Sequence, residues 1–208
     1  MPELPEVETV CRGLRETVVG KTILAVSINA PKNSIVVGPS IQPADFSQAL
    51  ASRTILGITR RGKNILIALS GDLVLWVHLK MTGHFFYDAQ PITPGKHDLV
   101  VFRLVSGKSA LLSLRGTAPT DASPTHTSLR VSRHPELVEG SVRDRSNLSS
   151  SYLRFNDYRR FGRLRLFNNR ELWEQKGLKE LGPEPLEISA DNFVALCRKR
   201  PRMLKPAL

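Results

Sequence analysis

Cysteine, acidic side chains and long apolar runs are all scarce in this chain of 208 residues. The two cysteines, Cys11 and Cys197, lie far apart in the sequence, which excludes a disulfide-stapled scaffold. No apolar run approaches the ~18 residues that a membrane-spanning helix needs, so no membrane partner is expected. Glu3, Glu6 and Glu8 interrupt the N-terminus and exclude a secretory signal peptide. We therefore expect a reduced, cytoplasmic protein.

The shortage of acidic residues leaves a large positive charge. Asp and Glu number 19 against 30 Lys and Arg, which gives a net charge of +11. Residues 59–108 carry +4 of this excess and residues 152–208 carry +6. A charge concentrated in two blocks favours a polyanionic partner such as nucleic acid. A basic protein whose Lys and Arg merely face solvent remains the alternative.

The hydrophobic pattern predicts an α+β fold with an antiparallel, strand-rich body and peripheral helices. Hydrophobic residues make up 41% of the chain, enough for a substantial core. Helices are predicted at residues 6–19, Glu171–Leu181 and Asp191–Arg200. Strands are predicted at Thr22–Ile28, Asn64–Leu69, Leu73–Leu79, His84–Tyr87, Leu99–Leu104, Tyr152–Asn156 and Arg163–Phe167.

One long stretch has the composition of a loop. Residues 115–151 contain 12 Ser or Thr, no aromatic residue and no sustained periodicity. A structureless stretch of this length is uncommon inside a compact domain. We therefore expect residues 109–151 to be a disordered insertion in a β-hairpin.

The N-terminus could carry covalent chemistry. Removal of Met1 would leave Pro2 with a free secondary amine, and the positive end of a helix starting at Pro5 favours its neutral, nucleophilic form. Addition of a secondary amine to an aldehyde gives an iminium that has no N–H to lose, so it stays cationic and suits elimination. Glu3 could donate or shuttle a proton. Alternatively, the prolines and glutamates only start a helix.

A colinear set of motifs adds to this chemistry. In chain order, the segments are Met1-Pro2-Glu3-Leu4-Pro5-Glu6-Val7-Glu8-Thr9, Arg60-Arg61-Gly62-Lys63, His78-Leu79-Lys80-Met81-Thr82-Gly83, Lys96-His97-Asp98, Asp157-Tyr158-Arg159-Arg160-Phe161-Gly162 and Leu181-Gly182-Pro183-Glu184-Pro185-Leu186. Together they resemble the formamidopyrimidine-DNA glycosylase family, the bacterial 8-oxoguanine repair enzymes. The resemblance covers residues 1–108 and 152–208.

The resemblance implies a fold and a set of catalytic residues. The fold would be an antiparallel two-layer β-sandwich flanked by helices, formed by residues 1–108 and 152–196. Pro2 would attack C1′ of the damaged nucleotide, release the base and form a Schiff base. Glu3 would act as a proton donor at the sugar, while Lys63 would assist proton transfer and hold a phosphate. Glu6 would support the site.

The resemblance also implies the residues that hold DNA. Met81, Arg159 and Phe161 match the three residues that fill the gap left by an everted nucleotide, where apolar wedges occupy the stack and Arg bonds the orphaned base. DNA-contacting positions of the family match His97, Arg159 and Arg200. The expected partner is damaged double-stranded DNA, bound by a monomer.

The chain departs from the family pattern in two respects besides the insertion. Lys80 stands where the family has Gly beside the wedge. Residues 197–208 resemble the start of a helix–two-turns–helix domain, and the expectation is a truncated chain without the family's C-terminal zinc finger. Neither Cys11 nor Cys197 belongs to a Cys-x-x-Cys pair, so no metal or other cofactor is expected.

Three functions remain open from the sequence. The first is a glycosylase and AP lyase that removes oxidised purines by base-excision repair. The second is an inactive, truncated remnant that acts at most as a weak DNA-binding domain. The third is a generic basic nucleic-acid-binding module, which would leave the Pro2–Glu3 start unexplained.

Overall fold

Two four-stranded antiparallel sheets pack face to face and enclose the main hydrophobic core. The computed structural model describes residues 2–29, 43–106, 150–184 and 187–199. The predicted α+β sandwich with flanking helices is confirmed. Two predicted regions lie largely outside the described residues: the insertion, at residues 109–149, and the start of the helix–two-turns–helix domain, at residues 200–208. The predicted DNA-contacting Arg200 belongs to the second region.

Eight strands occur within the described residues. They are β1 (Lys21–Ile28), β2 (Ile55–Arg61), β3 (Asn64–Leu69), β4 (Leu73–His78), β5 (His84–Asp88), β6 (Asp98–Ser106), β7 (Ser150–Asn156) and β8 (Arg163–Asn168). The first sheet has the order β1-β6-β7-β5, and the second has the order β2-β3-β4-β8. Strand β7 begins at Ser150, so it includes the last two residues of the predicted insertion.

Helix α1 (Leu4–Val18) packs on the core through Val7, Cys11, Leu14 and Val18, all of which are buried. The three- and four-residue spacing of these side chains puts them on one face of a helix. The helix starts two residues before the predicted boundary, because Glu3 is its N-cap and Pro5 lies in its first turn, where a missing N–H costs nothing.

The sequence pattern did not reveal α2 (Pro43–Leu50) or β2. Along β2 only Ile55 and Ile58 are buried, and the pairing with β3 shifts register between Ile55 and Gly57. This irregularity disrupts the period-two alternation from which a half-buried strand is predicted. Helix α2 buries Phe46 and Leu50 against the core.

The single helix predicted at Glu171–Leu181 is wrong. Two short helices occur instead, α3 (Asn169–Glu174) and α4 (Lys176–Lys179), separated by Gln175 in an extended conformation with ψ 124°. Leu172 and Leu178 are both buried in a second, smaller cluster on the β3–β4 sheet. Six residues of continuous helix, at ~100° each, would point these two side chains in different directions, and the break brings them to one side.

The last described helix, α5 (Ala190–Lys199), agrees with the prediction to within one residue at each end. None of the helices in the described part of the chain is both long enough and apolar enough to span a bilayer.

Strand register gathers the motif-bearing loops at one end of the sandwich. His78, the last residue of β4, pairs with Asn64 at the start of β3 and with Arg163 at the start of β8. The turn before β3, the loop after β4 and the loop before β8 therefore lie side by side. The latter two loops also connect the second sheet to β5 and β7 of the first.

Candidate functional site

A cleft of about 560 Å³ lies at this end of the sandwich. It is bounded by the start of α1, the β2–β3 turn, the ends of β4 and β8, and the segment after α4. The residues around it are Leu4, Arg61, Gly62, Lys63, Asn64, Trp76, His78, Lys80, Arg163, Gly177, Leu181, Gly182, Pro183 and Glu184. The start of the chain and the predicted catalytic residue Lys63 therefore border the same cleft.

The first residues of the chain enter the fold at the edge of this cleft. Pro2 is half-buried and Glu3 is exposed, and Leu4, two residues after Pro2, lines the cleft itself. The backbone N–H of Glu3 donates a hydrogen bond of 3.2 Å to Oε2 of Glu6. The Glu6 carboxylate thereby fixes the backbone that leads to Pro2, while its support of the catalytic site stays a prediction.

The cleft carries excess positive charge. Lys63, Lys80 and Arg163 line it, and no carboxylate of the described residues forms an ion pair with any of the three. Arg61 is different, because it lies 3.8 Å from Glu184 and donates hydrogen bonds to the carbonyls of Leu181 and Gly182. Three unneutralised cations make the cleft suitable for a polyanion.

His78 stays neutral within this group of cations. Burial, followed by the positive charges of Lys80, Lys63 and Arg163, lowers its pKa to about 4. Nδ1 of His78 accepts a hydrogen bond of 3.0 Å from the backbone N–H of Lys80. Because a neutral imidazole has one donor and one acceptor nitrogen, the proton lies on Nε2.

An ion-pair chain stabilises the wall of the cleft. Arg60, only 4% exposed, donates to Glu8 at 2.8 Å and lies 2.6 Å from Glu184. The N–H of Gly62 donates to the same Glu184 carboxylate at 3.1 Å. The hydrogen bond from Arg60, and then Arg15, lowers the pKa of Glu8 against the opposing effect of burial. This chain ties α1, β2 and the segment after α4 together around the turn that carries Lys63.

The three predicted void-filling residues lie on adjoining loops and face solvent. Met81 is 47% exposed and Phe161 is 49% exposed. Nη1 of Arg159 lies 3.3 Å from Sδ of Met81. Large apolar side chains held outward beside a basic cleft form a surface that can enter a base stack. We refer to Met81, Arg159 and Phe161 as the wedge.

A buried carboxylate connects the two wedge loops. Asp157 is completely buried, and its oxygens accept hydrogen bonds from the hydroxyl of Thr82 and from the backbone N–H groups of Arg159 and Gly162. Its own N–H donates to the carbonyl of His97 at 2.9 Å. One side chain therefore sets the relative position of Met81, Arg159 and Phe161.

The ring of Phe155 supports both loops from below. A Cβ on Gly162 would lie 2.5 Å from Cζ of this ring, and a Cβ on Gly83 would lie 2.9 Å from the same atom. Gly83 also approaches the carbonyl oxygen of Leu79, to which its N–H donates at 3.0 Å. Both glycines thus permit the loops to pack directly on the core.

The remaining predicted residues are less closely placed. His97 is half-buried, and its Nδ1 has no hydrogen-bond partner among residues that the structure describes. Arg200 lies outside them. No cluster of three His, Cys, Asp or Glu side chains capable of holding a metal occurs in the described ranges. Cys11 and Cys197 offer no paired thiolates, so the described residues do not fit a zinc site.

Several residues that organise the site have no role that local sequence patterns predict. Asp157 opens one of the sequence motifs without a predicted role of its own, although an Asp that opens a turn often accepts backbone N–H groups. The contribution of Arg60 and Glu184 depends on positions 124 residues apart and has no local signal. His78 and Arg163 become part of the cleft through strand register.

Comparisons with known proteins identify the family of this chain. Residues 1–116 match the family model described as the formamidopyrimidine-DNA glycosylase N-terminal domain. A formamidopyrimidine-DNA glycosylase of Moorella thermoacetica is 35% identical over 212 residues, covering 100% of this chain and 60% of that protein. The corresponding protein of Bacillus licheniformis is 34% identical over 210 residues and is covered to 59%. The chain thus spans about 60% of the length of these curated relatives.

Solved structures show the same fold. The Lactococcus lactis Fpg in complex with DNA containing an abasic site superposes with a TM-score of 0.65 at 23% identity, covering 99% of this chain and 59% of that one. The same protein in complex with DNA containing FAPY-dG gives a TM-score of 0.64, also at 23% identity. With the matching model spanning more than half of its residues, the chain belongs to the formamidopyrimidine-DNA glycosylase N-terminal domain family.

Proposed function

We propose that this chain carries the catalytic chemistry of a base-excision-repair DNA glycosylase and AP lyase. It would remove oxidised purines, 8-oxoguanine and formamidopyrimidines, from damaged double-stranded DNA in the cytoplasm, acting as a monomer without a cofactor. The observation that carries the proposal is the cleft lined by Leu4, two residues from Pro2, and by the unpaired cations Lys63, Lys80 and Arg163.

The charge and the wedge support DNA as the substrate. Lys and Arg without acidic partners bind phosphates and release the counterions that surround DNA. A base leaves the stack at a cost of a few kcal/mol, which a side chain that fills the gap helps to offset. Met81, Arg159 and Phe161 face outward, and all three lie close in sequence to cleft residues. Met81 follows Lys80 directly, while Arg159 and Phe161 lie four and two positions before Arg163.

The proposed reaction starts at the amine of Pro2. Attack of its nitrogen on C1′ breaks the glycosidic bond, and the base departs with the proton that the nitrogen loses. Ring opening then gives an iminium linkage between Pro2 and the sugar. Glu3 supplies the proton for the sugar oxygen. The cationic iminium withdraws electrons and makes the C2′ proton acidic, and loss of this proton to solvent forms the C2′=C3′ double bond as the 3′ phosphate departs. Lys63 stabilises the negative charge of that phosphate.

Relatives support the same assignment. The curated proteins that match the whole chain at 34–35% identity are named formamidopyrimidine-DNA glycosylases. The structural relatives include Lactococcus lactis Fpg bound to abasic-site DNA and to FAPY-dG DNA.

Borohydride trapping tests the proposal directly. The 208-residue protein is incubated with a duplex containing 8-oxoguanine and reduced, and a covalent protein–DNA product is expected. Intact-mass analysis should show that Met1 is absent from the reactive species. Pro2→Gly should strongly reduce trapping, and Lys63→Gln should reduce it less. Thr9→Ser, an exposed change in the same helix, serves as the control that leaves trapping unchanged.

The other outcomes separate the competing functions. Equal trapping by protein that retains Met1 would exclude Pro2 as the nucleophile. Salt-dependent DNA binding without any trapped product would favour the alternative, a domain that binds DNA without turnover.

A further inference from the structure

Lys80 has an unfavourable backbone conformation. Its φ is +57°, in the left-handed region that glycine adopts freely and side chains with a Cβ avoid. Three other non-glycine residues of the described ranges share this feature, Ser52, Asp72 and Arg160. Short polar residues such as Asp offset the cost of this conformation with local hydrogen bonds, which the long side chain of lysine does not supply.

The backbone geometry itself does not require lysine. The N–H of Lys80 donates to Nδ1 of His78, and a glycine N–H would make the same bond without strain. Backbone strain that persists at a site indicates a function for the side chain there.

The side chain of Lys80 also occupies an electrostatically unfavourable place. It is half-buried in the cleft beside Lys63 and Arg163, and its charge contributes to the lowered pKa of His78. No described carboxylate forms an ion pair with it. Like charges that converge without a counter-charge repel one another until an anion lies between them.

Position in the chain identifies where that anion would lie. Lys80 immediately precedes Met81, so it stands between the cleft and the wedge. A duplex opened by the wedge would carry its backbone phosphates past this point. The ligand chemistry that fits a strained, unpaired lysine at this edge is therefore a backbone phosphate of the DNA strand that enters the cleft.

We propose that Lys80 is a DNA-phosphate-binding residue that increases affinity for the opened duplex at the expense of folding stability. This inference rests on the proposed function, because it needs DNA in the cleft. The proposed function could hold without it, because the chemistry at Pro2 does not require a contact between Lys80 and a phosphate.

Three variants of the full chain separate charge from strain. Lys80→Gly removes both the charge and the strain, whereas Lys80→Gln removes the charge and keeps the strain. Ser52→Gly relieves strain of the same kind at φ +63°, in the turn before β2, and leaves the charge unchanged. The probe is a short duplex containing a tetrahydrofuran abasic-site analogue, titrated at several salt concentrations, with thermal unfolding measured in parallel.

Both Lys80 variants should bind the duplex about ten-fold more weakly at 50 mM salt, and the slope of log affinity against log salt should fall by about 0.9, the value for one phosphate. Ser52→Gly should match the wild-type affinity and slope. Lys80→Gly and Ser52→Gly should both unfold at a higher temperature than the wild type, and Lys80→Gln should not.

Two results would contradict the proposal in different ways. Wild-type slope and affinity in Lys80→Gln would overturn the phosphate contact while leaving the proposed function intact. If Ser52→Gly unfolds at a higher temperature than the wild type and Lys80→Gly does not, the claim that Lys80 lowers folding stability would be wrong. Failure of the wild type to bind the duplex at any salt concentration would instead overturn the proposed function, and with it this inference.

Discussion

Nη1 of Arg159 lies 3.3 Å from Sδ of Met81, although 78 positions separate the two residues in the sequence. Their loops leave different sheets, one after β4 and the other after β7. The contact exists because both loops are held by the same buried carboxylate and pack on the same aromatic ring. The arrangement of the wedge therefore depends on both loops, and it can be tested by substituting residues outside the wedge that hold the loops together.

Asp157→Asn should weaken the connection between the loops. The amide has only one acceptor oxygen. Its NH2 group would therefore face a backbone N–H that a carboxylate oxygen accepts in the wild type. We expect a loss of about 1–3 kcal/mol in the free energy of unfolding, the cost of unsatisfied buried groups. Urea denaturation measures it. Asp191→Asn, an exposed change in α5, should leave the unfolding midpoint nearly unchanged; a similar loss in both variants would contradict the special role of Asp157.

Gly162→Ala should be destabilising because the new Cβ would lie 2.5 Å from the ring of Phe155. Overpacking of this kind costs about 1–3 kcal/mol. Gly13→Ala is the matched control, since Gly13 lies on the exposed side of α1 with nothing within 4 Å of the added Cβ. That control should gain about 0.5–1 kcal/mol from helix propensity. Partial rescue of Gly162→Ala by Phe155→Leu would identify the ring as the cause.

Arg60 and Arg12 allow a comparison of two ion pairs to the same acid. Both contact Glu8, but Arg60 is 4% exposed and Arg12 is 72% exposed. Arg60→Gln should lower the free energy of unfolding by about 3–5 kcal/mol, because it removes the buried cation that lies between the carboxylates of Glu8 and Glu184. Arg12→Gln should cost at most about 0.5 kcal/mol. Chemical denaturation of the two proteins at neutral pH and moderate salt checks the difference.

The lowered pKa of His78 predicts a pH dependence of stability. In the unfolded chain the imidazole takes up a proton below pH ~6.5, while in the folded protein it stays neutral until about pH 4. The unfolded state thus binds more protons between these values, so stability falls as pH falls through this window. The fall should be smaller in His78→Gln and should persist in His84→Gln. Identical profiles for wild type and His78→Gln would contradict the assignment.

The two cysteines should differ in reactivity. Cys11 is completely buried in α1, and burial raises its pKa to about 11, whereas Cys197 is partly exposed. Because the thiolate is the reactive form, iodoacetamide should modify Cys197 first and reach Cys11 only as the protein unfolds. Mass spectrometry of tryptic peptides resolves the two sites. Both should react together in strong denaturant; prompt labelling of Cys11 in the native protein would contradict its position.

Local patterns predicted the elements whose signal is contained within a few residues. The buried face of α1 follows from the spacing of Val7, Cys11 and Leu14, and most strands follow from alternation. Strand β2 was not predicted, because its irregular register disrupts that alternation. The break at Gln175 was not predicted, because it depends on the packing of Leu172 and Leu178 in one apolar cluster of the folded protein.

The same limit applies to the candidate site. Motifs placed Met81, Arg159 and Phe161 in turns, and the resemblance implied their shared role. No sequence pattern could show that the backbone of Lys80 is left-handed or that three cations of the cleft lack acidic partners. These properties depend on strand register, which brings His78 beside Asn64 and Arg163 only in the folded chain.

The pairing of β6 with β7 places Val105 directly opposite Ser150. The chain therefore leaves the sheet and returns to it at adjacent positions, about 5 Å apart. From Ser150 the strand runs for about 20 Å before it reaches Asn156 and the loop that carries the wedge. Changes of chain length between Ser106 and Ser150 should therefore leave the wedge in place, because the pairing of β7 with β6 and β5 holds the strand that leads to it.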